Sequence, residues 1–320
     1  MNIVITFSTL LLVSCSILSE DKVATLADPT IYKYEGDYYL FGTETPPQVG
    51  FRIYSSDNLE DWYVPETAYE GGYVLKKETQ TYGSRGFWAP QIFEYKGKTG
   101  IAYTANERIA IAFAESPLGP FLQQDVRSLN NDLLQIDPFL FFEEDGKIYL
   151  YHVRLRKGNH IYVAEMEENL SGINKETLTH CISAEKNTWE DTQTYPSVPV
   201  IEGPTLIKHK GIYYLFYSAN HFMSADYAVG YATAPSPTGP WTRYEGNPII
   251  HREHLDINGT GHGDVLIDGD DMYYVFHTHA SDEEVRPRHT MLVKMRFEET
   301  ESSVDKVVVD YESAVYLKKN

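Results

Sequence analysis

Five stretches of this chain repeat one pattern of apolar and polar positions. Each begins with a short, loosely alternating strand, reverses at a Gly-containing turn, and returns as a nearly continuous run rich in Tyr, Phe and Leu. This pattern predicts a pair of antiparallel strands, of which the second is covered on both faces. The five stretches are residues 28–42, 89–104, 137–152, 202–217 and 263–277.

A third apolar segment follows each pair and predicts a third strand. These segments are residues 51–56, 109–114, 160–164, 229–233 and 291–295. In three units a polar turn and an aromatic residue follow, at Trp62, Phe121 and Trp241, where we expect an outer fourth strand to open. Four strands repeated five times predict an all-β fold, a five-bladed β-propeller in a single domain. A β-sandwich is the structural alternative, but it would not require five matching units.

The first 20 residues have the character of an export signal, and we expect residues 21–320 to form the propeller. Residues 3–13 are largely apolar, but this run is too short to span a bilayer as a helix. Residues 12–15 resemble a bacterial lipoprotein cleavage box, in which Cys15 would be lipidated; an ordinary signal peptide is the alternative. The expected location is therefore the periplasm or, as a lipoprotein, the outer membrane or surface of a bacterium, with membrane contact only through the lipid.

Charge and cysteine content narrow the classes of partner. The formal net charge of −19 disfavours nucleic acid and anionic lipid, whereas a neutral polymer is compatible with it. The two cysteines, Cys15 and Cys181, exclude a disulfide framework and a cysteine-based zinc site.

Acidic residues recur where the first strand of a unit begins. In a propeller these positions meet at one mouth of the central channel, and here they carry Asp28, Ala89, Asp137, Glu202 and His262. An Asp before Pro commonly initiates a turn, and a lone His is often a core residue, so each position has a structural explanation. The three acids, however, fall at the same point of the repeat. Like charges crowded at one mouth would destabilise a scaffold, and this favours a catalytic role.

Converging carboxyl groups suit the cleavage of a glycosidic bond. One acid must stay protonated so that it can give a proton to the leaving oxygen, and another must be ionised to activate water or attack the sugar. A third negative charge nearby raises the pKa of the acid and keeps it protonated near neutral pH.

An ordered set of five motifs, one in each predicted blade, resembles family 43 of the glycoside hydrolases. The motifs are residues 27–29, 87–90, 136–138, 201–204 and 261–264, and the resemblance runs from about residue 24 to the C-terminus. It implies that Asp28 is the general base, that Glu202 is the general acid, and that Asp137 raises the pKa of Glu202 and orients it. It also implies inversion, with the Asp28 and Glu202 carboxyl carbons about 6.5–9.5 Å apart to admit water.

The resemblance extends to a metal and to the sugar pocket. His262 resembles an axial histidine that contacts a central calcium ion, often with water as co-ligand; calcium usually prefers oxygen ligands. No organic cofactor is expected. Trp88 resembles an aromatic residue near the sugar, although packing between blades would also explain it. Arg288, more than Arg286, resembles an arginine that reaches substrate hydroxyls. Further candidates for the pocket are Phe41, Asn220 and Tyr195.

The resemblance implies an α-L-arabinofuranosidase acting on fragments of arabinan, arabinoxylan or xylan. The Asp28 base favours pentose substrates, because some galactose-specific relatives lack it. Many xylosidases of the family carry an additional β-sandwich, which is not seen in this sequence. A β-xylosidase and an endo-arabinanase remain alternatives. Two non-enzymatic alternatives are a carbohydrate-binding propeller and a protein scaffold, and the intact acids count against both.

Overall fold

The computed structural model describes residues 23–129, 133–192 and 198–320. The predicted signal segment, Cys15 and Tyr195 lie outside these ranges. Nearly all regular structure is β, and most strands form five sheets arranged as the blades of a propeller, which confirms the predicted fold. Helical structure in the described chain is limited to short turns: α1 (Arg252–Leu255) and the 3₁₀ turns Tyr69–Gly72 and Lys175–Thr177. None of the helices in the described ranges has the length and apolarity of a membrane span.

Blades 3, 4 and 5 are four-stranded antiparallel sheets. Blade 3 contains β10 (Gln135–Phe142), β11 (Ile148–Leu155), β12 (Asn159–Glu165) and β13 (Thr179–Ile182). Blade 4 contains β14 (Ile201–His209), β15 (Ile212–Ala219), β16 (Ala228–Ala234) and β17 (Thr242–Arg243). Blade 5 contains β18 (Gly261–Asp268), β19 (Asp271–Thr278), β20 (His289–Glu298) and β21 (Lys306–Tyr316).

Blades 1 and 2 have three strands in their main sheets, so the prediction of four strands in every blade was wrong. Blade 1 contains β1 (Ala27–Tyr34), β2 (Asp37–Thr43) and β4 (Tyr54–Ser56). Blade 2 contains β7 (Trp88–Tyr95), β8 (Lys98–Ala105) and β9 (Arg108–Ala114). Two further pairs are β3 (Gly50–Arg52) with β6 (Tyr73–Lys76), and β5 (Asp61–Trp62) with β22 (Lys318–Lys319). In both blades a single bridge, Ser55 to Tyr63 or Phe113 to Leu122, replaces the expected outer strand.

The inner strands contact one another in a closed ring in the order β1, β7, β10, β14 and β18. A separate apolar core fills each of the five gaps between neighbouring blades. The ring closes where the Ala24 N–H donates to the Leu317 carbonyl at 2.8 Å and the Thr290 N–H donates to the Ala24 carbonyl at 2.9 Å. The blades therefore hold their inner ends in fixed relation, as a site built from several blades requires.

Every inner strand opens with the same bulge. The strand register shifts there in all five blades. One residue of each bulge has a left-handed φ: 49° at Asp28, 43° at Ala89, 55° at Asp137, 62° at Gly203 and 40° at His262. Such values are uncommon for residues other than glycine and persist only where surrounding contacts hold them. All five residues line a narrow void on the propeller axis.

The N–H of each bulge residue needs a partner, because it has left the strand ladder. In four blades the acceptor lies at the end of the second strand of the preceding blade or one residue before it: Thr43, Thr104, Ser218 or His277. In blade 3 the corresponding position, opposite Ile136, holds Val153, whose side chain cannot accept a hydrogen bond. The Gly203 N–H therefore finds no acceptor on Val153, and the carboxyl group of Asp137 accepts its hydrogen bond instead.

Candidate active site

A cavity of about 440 Å³ opens at this mouth of the channel. Three acids from three blades line it: Asp28, Asp137 and Glu202. Each is nearly buried, with exposed fractions of 8%, 4% and 8% respectively. The acids singled out from the sequence thus share one hollow, together with the imidazole of His262 and the guanidinium of Arg288.

Hydrogen-bond donors and cationic groups surround the Asp28 carboxylate. Thr43 Oγ1 donates to Oδ2 at 2.6 Å, and Arg288 Nη1 donates to Oδ1 at 3.2 Å. The Nδ1 atoms of His262 and His277 each lie 3.4 Å from Oδ1. Burial opposes ionisation, but Arg288, His262 and the Thr43 hydroxyl outweigh it and hold the pKa of Asp28 well below its usual range. Asp28 is therefore a carboxylate at neutral pH.

Asp137 is the deepest of the three acids. Its Oδ2 accepts the Gly203 N–H at 3.2 Å and lies 4.0 Å from Nδ1 of His262. Burial raises the pKa of Asp137 to about 7, and the charges of Glu202 and Asp28 add to this effect, whereas His262 and the Gly203 amide oppose it. The pKa of Asp28 is thus lowered and the pKa of Asp137 is raised, which is a common arrangement for acid–base pairs.

Both oxygens of Glu202 have a donor. Tyr227 Oη donates to Oε1 at 2.9 Å, and Asn159 Nδ2 donates to Oε2 at 2.7 Å. The next residue, Gly203, is bonded to Asp137, so backbone and side chain of Glu202 are both held.

Glu202 does not occupy the same point of the repeat as Asp28 and Asp137, which corrects the expected phase. The equivalent position is Gly203, and Glu202 precedes it by one residue. A Cβ atom on Gly203 would lie 2.8 Å from Cδ2 of His262, at a φ that strains any side chain. Glycine is therefore favoured between the acid and the imidazole, and the glycine after Glu202 is explained by packing.

His262 lies between two of the acids. Burial alone would lower the pKa of His262, but Asp28, Asp137 and Glu202 raise it above its ordinary value. In the described ranges no three His, Cys, Asp or Glu side chains cluster as metal ligands. The axial carboxylate, Asp264, accepts from Thr30, Thr205 and the Val265 amide. Because Asp264 already accepts these three hydrogen bonds, its oxygens do not fit as ligands of a calcium ion. The hydrated calcium ion expected at His262 stays a prediction.

The other sequence candidates divide between cavity and core. Trp88 lines the cavity, where its Nε1 donates to Gln48 at 2.7 Å, and Arg286 and Arg288 line it from the opposite blade. Phe41 is completely buried in the core between blades 1 and 2 and does not line the cavity, so that prediction was wrong. Asn220 is also absent from the cavity wall; its amide donates to the Trp189 carbonyl at 3.3 Å.

Sequence reasoning missed the residues that hold the acids. Tyr227 and Asn159 bond to Glu202, and His277 accepts the Asp28 N–H on its Nδ1 at 3.1 Å. Burial, with the nearby charge of Arg288, keeps the pKa of His277 well below its ordinary value, so the ring is neutral. The only signal was positional: His277 lies at or next to the C-terminal end of the second strand of its unit, as do Thr43, Thr104 and Ser218.

Comparison with known proteins identifies the family. The model of glycosyl hydrolases family 43 matches residues 23–301. The chain belongs to this family. Members of this family hydrolyse glycosidic bonds, so the chain is a glycoside hydrolase, as the sequence motifs predicted.

Individual relatives carry names that refer to several sugars. A solved structure of an endo-1,4-β-xylanase from Bacteroides thetaiotaomicron is 36% identical, with a TM-score of 0.83 over 94% of this chain and 100% of that one. A β-D-galactofuranosidase of Aspergillus niger is 26% identical over 85% of this chain and 80% of its own length. An extracellular endo-α-(1→5)-L-arabinanase of Bacillus subtilis is 26% identical over 78% of this chain and 74% of its own length.

Proposed function

We propose that this family 43 enzyme removes terminal α-L-arabinofuranosyl residues from plant polysaccharide with inversion at the anomeric carbon. The convergence of Asp28, Asp137 and Glu202 on one cavity is the observation that supports this most. A volume of about 440 Å³ is in the range of small-ligand pockets and suits a chain end better than a long polymer segment. Asp28 is ionised, and the raised pKa of Asp137 retains a proton beside Glu202 near neutral pH, so the site holds both a base and an available proton.

The proposed reaction is a single displacement. Asp28 accepts a proton from a water molecule as its oxygen attacks the anomeric carbon. Glu202 gives its proton to the glycosidic oxygen as that bond breaks, and Tyr227 and Asn159 stabilise the carboxylate that remains. Asp137 orients Glu202 through the Gly203 amide, and its raised pKa keeps a proton in the site near neutral pH until the substrate arrives.

Hydrolysis of β-1,4-linked xylose is the second candidate. It is supported by the 36% identity to a protein named endo-1,4-β-xylanase, which exceeds the identity to the named arabinanase. Arabinofuranose and xylopyranose place similar hydroxyl groups in similar positions, so the acids alone do not distinguish them.

Three nitrophenyl glycosides test the proposal: α-L-arabinofuranoside, β-D-xyloside and β-D-galactofuranoside. We expect the highest kcat/KM on the arabinofuranoside, and release of arabinose alone from branched and linear arabinan. The Asp28→Asn variant is the matched control for contaminating activity. Highest kcat/KM on the xyloside, with xylose released from xylan, would favour the second candidate. Sugar binding without turnover of any substrate would instead indicate a carbohydrate-binding propeller.

We also propose that the enzyme is exported and lipidated at Cys15. The apolar run at residues 3–13 and the Leu-Val-Ser-Cys sequence that ends at Cys15 support this. Labelled fatty acid should enter the full-length protein expressed in bacteria and should be absent from Cys15→Ser; equal labelling of both would contradict lipidation at this residue.

A further inference from the structure

Two arginine side chains pack on the ring of Phe222, which lies in the loop between β15 and β16. The guanidinium carbon of Arg288 is 4.9 Å from the ring centroid, and that of Arg286 is 5.3 Å away. Arg288 also donates through Nη1 to Oδ1 of Asp28 at 3.2 Å. A planar guanidinium can stack on an aromatic face while its N–H edge stays available for hydrogen bonds. Arg288 makes both contacts at once.

The loop that carries Phe222 is held in an uncommon conformation. Asn220 and His221 have left-handed φ values of 80° and 67°. The Phe222 carbonyl accepts a hydrogen bond from Nε2 of His279 at 2.9 Å. His279 is itself confined, because a Cβ atom on Gly259 would lie 1.9 Å from its ring. A strained backbone of this kind persists only where surrounding contacts fix it, so the ring of Phe222 is presented to the cavity in a defined place.

We propose that Phe222 is a positioning residue that holds the Arg288 guanidinium against the Asp28 carboxylate. The proposal rests on the proposed function only in naming Asp28 as the base. Arginine has several rotatable bonds, and only 11% of the Arg288 side chain is exposed, so stacking restricts it to the conformer that reaches Oδ1. Arg288 bonds to Oδ1 of Asp28, and Thr43 donates to Oδ2. Together these two hydrogen bonds fix the orientation of the carboxylate toward the sugar.

A spectroscopic test of this contact needs no turnover. Protons of Arg288 that lie over the Phe222 ring should be shifted upfield in the NMR spectrum by the ring current, with assignment by their loss in Arg288→Lys. In Phe222→Leu, which keeps an apolar side chain of similar bulk, these signals should move toward the values of a free arginine. Phe222→Tyr, which keeps the ring, should preserve them. Unmoved Arg288 signals in Phe222→Leu would overturn the proposal.

A double-mutant cycle separates positioning from direct contact with the sugar. In the wild-type background Phe222→Leu should lower kcat/KM roughly 5- to 30-fold, as expected for loss of a desolvated cation–π contact. In the Arg288→Ala background the same change should have little further effect, because the ring then has no Arg288 to position. An equal loss in both backgrounds would overturn the proposal, since the ring would then act on the sugar or on folding.

The matched control is Phe113→Leu, a half-buried ring on β9 in the outer part of blade 2. It should leave both kcat/KM and the Arg288 signals unchanged. If the wild-type enzyme hydrolysed none of the glycosides, the proposed function would fail, while the NMR comparison would still decide the role of Phe222.

Discussion

The Tyr227→Phe substitution removes one hydroxyl group from the proposed acid and leaves the rest of the site in place. Tyr227 is fully buried, its ring stacks on His277 with centroids 5.7 Å apart, and its hydroxyl donates to Glu202 Oε1 at 2.9 Å. A hydrogen bond to a charged group contributes about 1.5–3 kcal/mol. Because Glu202 gains negative charge as it gives up its proton, the lost bond should raise the barrier and lower kcat/KM roughly 10- to 150-fold.

Tyr217→Phe is a control of matched chemistry. Tyr217 is also fully buried, and its hydroxyl donates to the buried Glu190 at 2.7 Å, away from the residues that line the cavity. Urea denaturation should show a comparable loss in the free energy of unfolding for both variants, because each leaves a buried carboxyl group with one hydrogen-bond donor fewer. Steady-state kinetics should show a loss only in Tyr227→Phe. Equal kinetic losses, or wild-type kcat/KM in Tyr227→Phe, would refute the reasoning.

Three further predictions concern the acids. Glu202→Ala should lose roughly 10²- to 10⁴-fold in activity on alkyl glycosides but much less on activated phenyl glycosides, which need little protonation; equal losses would count against Glu202 as the acid. Asp28→Ala should be rescued by azide, giving a glycosyl azide of inverted configuration, and a retained configuration would contradict the assigned base. With EDTA present, wild-type kcat/KM should fall as the pH rises through about 7, the pKa to which burial raises Asp137, because the retained proton is then lost. This inflection should disappear in Asp137→Asn and persist in Asp264→Asn; an inflection unchanged by Asp137→Asn would show that another group controls it.

The fold was predictable because the same pattern of apolar and polar residues recurs five times along the chain. Each unit contributes two covered strands, and the second is recognisable as a nearly continuous apolar run such as Ile212–Ala219. The outer strands were less predictable. Blade 2 ends in a single bridge from Phe113 to Leu122, and its local sequence, Ser-Pro-Leu-Gly-Pro-Phe, is nearly the same as the one that leads into β17 of blade 4. Similar turns therefore precede a strand in one blade and only a bridge in the other.

The convergence of the acids was predictable from repeat position, but their protonation and support were not. Glu202 lies one residue before the repeat position because Gly203 must occupy the left-handed bulge against His262. That Asp137 bonds to Gly203 follows from Val153, an apolar residue at a place where the other units have a hydroxyl or an imidazole. This absence of an acceptor is visible in the sequence only once the strand register is known.

The stereochemistry of the first-formed product tests most directly whether Asp28 and Glu202 act as a base–acid pair on water. Proton NMR can follow the anomeric signals during rapid hydrolysis of whichever pentoside the enzyme accepts, before mutarotation equilibrates them. We expect the inverted sugar first, which for an α-L-arabinofuranoside is β-L-arabinose. Initial release of the α-anomer would mean that a carboxylate attacks the sugar itself, and it would contradict the roles assigned to these two residues.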